Sequence, residues 1–91
     1  MMGHLSQEEL AQIIHQAEQQ VEVGATYAHY KHPEDNLYVV TAVALIEATD
    51  EPAVIYKALY GAKVTFVRPV SVWCESVEWQ GRLVPRFVKV S

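Results

Sequence analysis

The sequence predicts a mainly β fold: a small barrel of about five strands, with an N-terminal amphipathic helix and a short helical turn before the last strand. Three observations predict it. The apolar pattern keeps helical spacing only over the first two dozen residues. From Ala25 onward it changes to a period of two, and turn residues recur at short intervals along the rest of the chain. Short strands joined by tight turns suit a small antiparallel barrel.

The helix carries a full set of start signals. Ser6 is a good N-cap, and Glu9 three residues later completes a capping box. Leu5 and Leu10 are spaced for a hydrophobic staple, and Leu10, Ile13, Ile14, Ala17 and Val21 form the apolar stripe. Gly24 is the expected stop. Residues 25–31 then read as a strand, and Pro33 with Asp35-Asn36 as a loop. Residues 37–48 are β-branched and apolar on both faces, so they read as a strand covered on both sides. A helix is the rival reading of that run, weakened by the turn signals close around it. Asp50-Glu51-Pro52 is the next expected turn, followed by a strand over residues 53–60, a tight connection at Gly61-Ala62 and a strand over residues 63–67. Pro69 suits a first helical turn, and Val70, Trp73, Cys74 and Val77 fall at helical spacing, so residues 69–76 are expected to be helical. Gln80-Gly81 reads as a hairpin turn and residues 83–90 as the final strand, with Pro85 suited to an edge or a strand start.

At 91 residues the chain is one domain, a helix over residues 1–22 and a β-barrel over residues 23–91. It contains no repeat, linker or low-complexity segment. The strand over residues 37–48 asks for more cover than a barrel interior supplies. Leu10, Ile13 and Ile14 are therefore expected to pack on the outer face of the barrel or across a dimer.

Composition narrows the function classes. A hydrophobic fraction of 51% argues for a packed globule. No apolar run approaches the ~20 residues that span a bilayer, so no membrane association is expected. Met1-Met2-Gly3-His4 lacks a basic start and apolar core, so no signal peptide is expected, and one cysteine cannot form an internal disulfide. Together these favour a soluble cytoplasmic protein. Seven basic against eleven acidic residues give a formal charge of −4, which opposes nucleic-acid binding through phosphates.

Four words in the later chain carry a resemblance: Gly24-Ala25-Thr26-Tyr27-Ala28-His29-Tyr30-Lys31, Val54-Ile55-Tyr56 through Tyr60, Arg68-Pro69, and Pro85-Arg86-Phe87. In this order they resemble a bacterial family of domains of unknown function, number sixteen fifty-three, over about Val23 to Val88. The resemblance implies an SH3-like β-barrel with no established activity or cofactor. Two departures stand out: the loop His32-Pro33-Glu34-Asp35-Asn36 is longer than usual, and Cys74 replaces a plain aliphatic residue.

Alternation along the first strand places Tyr27, His29 and Lys31 on one face. Arg68 and Arg86 can join them, because arginine holds carboxylate or phosphate with two parallel hydrogen bonds. Tyr56 and Trp73 can supply apolar walls. These seven residues are the candidate ligand site. The plainer alternative is that Arg68 and Lys31 pair with Glu47, Glu51 or Glu75 while the rings simply pack. No metal is expected, since His29 and His32 fall on opposite faces of a strand, His4 and His15 lack ligand spacing, and Cys74 has no partner. A Cys74–His29 nucleophile pair is disfavoured because Cys74 lies on the apolar stripe of the short helix. The four glycines are scattered, which excludes a phosphate-cradling loop.

The reading is therefore a non-catalytic binding module for a peptide or a small anionic ligand, without a cofactor. A nucleic-acid or nucleotide-related accessory domain is the alternative, and an enzyme has the least support. A homodimer through the N-terminal helix or a barrel edge is expected from the apolar content.

Overall fold

The computed structural model describes residues 5–91. Met1-Met2-Gly3-His4, and with them the expectations about a signal peptide and about His4, lie outside the described residues.

Helix α1 spans Gln7–Gln20, and its start follows from Ser6. The Ser6 hydroxyl accepts from the Glu9 N–H at 3.1 Å while the Glu9 carboxylate accepts from the Ser6 N–H at 2.8 Å, which satisfies two donors a helix start leaves open. The helix ends earlier than expected. Val21 caps it in extended conformation, and Gly24, at φ 92°, serves the turn into the first strand.

The strands are β1 (Thr26–His29), β2 (Leu37–Ile46), β3 (Glu51–Ala58), β4 (Thr65–Pro69), β5 (Ser76–Trp79), β6 (Arg82–Pro85) and β7 (Phe87–Lys89), with the one-turn helix α2 (Val70–Trp73) after β4. Five of them form one antiparallel sheet in the order β4-β3-β2-β1-β7, and β5-β6 is a separate hairpin. Several expected boundaries move. Tyr30 and Lys31 leave the first strand for a turn, and the turn expected at Asp50-Glu51-Pro52 ends at Asp50, with Glu51 and Pro52 already paired in β3. Pro69 closes β4 instead of opening the helix. The expected final strand over residues 83–90 breaks at Arg86, whose flanks belong to different sheets. Residues 76–79, expected as the end of a helix and its exit, pair as β5 because Gln80 and Gly81, at φ 54° and 82°, make a tight turn that matches strand twist.

The predicted barrel does not close. β4 and β7 are free edges, and no main-chain ladder joins them among the described residues. The sheet nevertheless curls strongly. In a flat sheet the two edges would lie on the order of 19 Å apart, four spacings of about 4.8 Å. Here the Arg68 guanidinium of β4 lies 5.7 Å from the Phe87 ring of β7. A bulge at Thr41, where the β2–β3 register shifts between Val40 and Ala42, adds to the bend; the Thr41 hydroxyl ties it by donating to the Ile55 carbonyl at 3.2 Å.

One core fills the concave side. Val21, Val40 and Val54 are fully buried, and Ala17, Tyr27, Tyr38, Tyr56, Val70, Trp73 and Phe87 pack around them. Helix α1 meets this core through Ala17 and Val21. Leu10, Ile13 and Ile14 are half-buried along the same helix. The outer face carries Leu37, Val39, Ile55, Val67 and Val88, of which Val67 and Val88 are exposed, so β2 is apolar on both sides.

Candidate functional site

The mouth of the roll is where the edges approach, and its floor is Phe87. Trp73 stacks on that ring at 3.8 Å with a 7° interplanar angle, and Tyr38, Tyr56 and His29 meet it edge-on at 5.8, 5.7 and 5.3 Å. Register explains the convergence. His29 pairs with Phe87, Val40 with Tyr56, and Tyr56 with Phe66, so these side chains share the inner face. Tyr60 follows β3 and closes the rim: its hydroxyl lies 2.6 Å from that of Tyr38. Burial and this contact push the Tyr38 hydroxyl well above the usual tyrosine range, so Tyr38 stays neutral. Tyr60 and Phe66 keep 37% and 41% of their surface exposed, enough to meet a ligand.

Arg68 supplies the charge. Its Nε donates to the Tyr56 hydroxyl at 3.1 Å, and its guanidinium rests over Phe87. No carboxylate pairs with it among the described residues, where the two ion pairs are Arg86–Glu75 and Lys89–Glu22. The alternative of Arg68 paired with Glu47, Glu51 or Glu75 therefore does not occur, and Glu75 is taken by Arg86.

His29 is half-buried beside this arginine. Its Nδ1 accepts from the Lys31 N–H at 3.2 Å, which places the proton of the neutral ring on Nε2. Burial chiefly, then the positive charges of Arg68, Lys31, Arg86 and His32, hold its pKa below the usual 6.5. Every charged neighbour that acts on His29 is cationic. The ring is therefore neutral at pH 7.

The other sequence candidates occupy different stations. Tyr27 lies deep in the core, where its hydroxyl accepts from the Glu22 N–H at 2.9 Å and its ring meets Trp73 edge-on. Trp73 is buried beneath the mouth as support for Phe87. Arg86 is a tie, donating from Nε to the Val72 carbonyl at 3.2 Å and from Nη2 to the Glu75 carboxylate at 2.8 Å. Lys31 is exposed on the turn after β1, its Nζ 5.9 Å from the Tyr30 ring. Of the seven, His29, Tyr56 and Arg68 come together at the mouth, with Trp73 below. Sequence reasoning missed Phe87, Tyr38, Tyr60 and Phe66. The Pro-Arg-Phe word was the signal for Phe87, and strand alternation from Tyr56 to Ala58 pointed towards Tyr60.

Cys74 is exposed at the end of α2, not on a buried stripe, and its Sγ lies 3.5 Å from the Gln20 side-chain oxygen. Partial desolvation raises its pKa, the wrong direction for a nucleophile. No group of three metal-ligating side chains occurs among the described residues. None of the described helices is long and apolar enough to cross a membrane.

Comparison with known proteins agrees with this architecture. Residues 25–89 match the model of a family described as protein of unknown function, DUF1653. The crystal structure of a DUF1653 protein from Bordetella bronchiseptica is similar, with 30% sequence identity and a TM-score of 0.66 over 78% of this chain and 90% of that one. No curated protein matches the chain.

Proposed function

We propose a function for the chain from the premise that it belongs to the DUF1653 family of proteins of unknown function. It is a non-catalytic binding module that holds an anionic ligand, free or part of a peptide, at the mouth between β4 and β7. The strong curl supports an SH3-like reading of the open five-stranded sheet. The observation that carries the function is Arg68: a half-buried guanidinium, anchored by one nitrogen on an aromatic floor, with no acidic partner among the described residues. Charges placed this way are usually neutralised by the protein itself, so an unneutralised one beside a cationic His29 environment favours an external anion.

Backbone NMR at low salt tests it. Small carboxylates and phosphates are added to the wild type and to Arg68→Gln, and shifts at residues of the mouth are expected in the wild type alone. A wild-type spectrum indifferent to all of these anions would end the reading.

A second copy of the chain belongs to the same proposal. The apolar outer face of the sheet and its free β4 edge are the surfaces offered to a partner. Val67, 61% exposed, stands on that face at the β4 edge. On the same face of β3, Glu51 and Lys57 stand at opposite ends. Two such faces stacked with their strands antiparallel set Lys57 of each against Glu51 of the other, the complementarity a two-fold axis requires.

A further inference from the structure

We propose that the ligand of the Arg68 mouth is a single carboxylate carried on an apolar, ring-bearing body. This rests on the anion-site reading above and makes it specific. Three observations point the same way.

The first is the geometry of the guanidinium. A guanidinium can grip two oxygens side-on, through Nε and one Nη, or end-on, through both Nη atoms. Tyr56 occupies Nε, which removes the side-on fork. The end-on fork has no protein partner among the described residues, and its two parallel N–H groups match the two oxygens of one carboxylate.

The second is charge. At neutral pH the mouth holds one uncompensated cation. Arg86 is balanced by Glu75, Lys31 stands outside on its turn, and His29 is neutral. One carboxylate closes that balance. A dianionic phosphate would leave surplus negative charge against aromatic walls that cannot solvate it.

The third is the wall. Phe66 and Tyr60 are the exposed rings at the rim, backed by Tyr38, which meets Phe66 at 6.4 Å and Tyr60 at 5.5 Å. Rings at these separations offer their faces and edges to an apolar or aromatic body, whose burial supplies the affinity that a single ion pair at a half-exposed site cannot.

Two sources share this chemistry: a free aryl acid, and the C-terminal carboxylate of a chain ending in an aromatic residue. Calorimetric titration distinguishes them. The probes are phenylacetate, acetate, a short peptide ending in Phe, the same peptide with an amidated end, pyrophosphate and AMP. Binding of phenylacetate or of the free-ended peptide is expected, with the amidated peptide at least about tenfold weaker, the equivalent of one ion pair in such a setting. Saturation by phenylacetate alone assigns the free acid; saturation by the peptide alone assigns the chain terminus. Arg68→Lys keeps the charge but loses the fork, and is expected to lose most of the affinity. Phe66→Ser tests the wall without touching Arg68, and is expected to weaken phenylacetate while leaving acetate unchanged. Pyrophosphate or AMP binding tighter than either carboxylate, and lost in Arg68→Gln, would overturn the carboxylate while preserving the anion site. Equal binding of the amidated peptide also overturns it, and no binding by any probe removes both.

Discussion

Arg68 and Arg86 look equivalent in the sequence, each beside a proline, yet among the described residues only Arg86 has an acidic partner. What separates them is Glu75, which pairs with Arg86 through a fold contact that no spacing rule reveals. Arg86→Gln is expected to cost about 1–3 kcal/mol of stability, because it removes a charged donor from the Val72 carbonyl and from Glu75. Arg68→Gln is expected to change stability far less and to remove anion binding. Urea unfolding of the two variants checks the contrast. Phe87 is the residue whose loss matters most. Four ring partners and Arg68 converge on it, so Phe87→Ala is expected to cost about 3–5 kcal/mol, a large part of what a domain of this size has. His29 sets a pH dependence. Its folded pKa lies below the unfolded 6.5, so the unfolded chain binds more protons. Its contribution is therefore intact above about pH 6.5 and falls as pH drops from there towards the folded pKa. His29→Asn should flatten the stability profile in that window.

At the scale of elements, what was local was legible. The start of α1 is written in Ser6 and Glu9, which need no tertiary partner, and Ser6→Ala is expected to cost about 1 kcal/mol in thermal or urea unfolding. The Gln80-Gly81 turn was equally readable, since Gly81 takes its positive φ at no steric cost. Boundaries set by pairing were not. Pro52 reads as a turn residue, but opposite Leu45 at the start of β3 its missing N–H is tolerated. The break at Arg86 arises because β6 pairs with β5 while Phe87 is drawn to His29 in another sheet, a choice between partners far apart in the chain. The apolar run in β2 was read correctly as two-sided. Its second cover is expected from α1 or a second copy, and of α1 the small Ala17 and Val21 reach the core.

Across the whole molecule, curl brings the residues of the candidate site together. Sequence reasoning placed basic and aromatic residues at one mouth and expected a closed barrel to gather them. An open sheet gathers His29, Tyr56 and Arg68 without closing, because the Thr41 bulge and strand twist bring β4 over β7. The extent of that curl depends on long-range packing and has no signature in a run of residues. The apolar outer face of the sheet makes a whole-molecule prediction. Sedimentation of the wild type should show a dimer that Val67→Lys converts to monomer with its fold retained; a wild-type monomer at high concentration removes the second copy from the account. The central claim, an anion received by Arg68 beside a neutral His29, is tested most directly by following the His29 ring protons through a pH titration. The account predicts a midpoint below 6.5 in the free protein, raised when phenylacetate is bound and raised also by Arg68→Gln. A midpoint at 6.5 that neither change moves would contradict it.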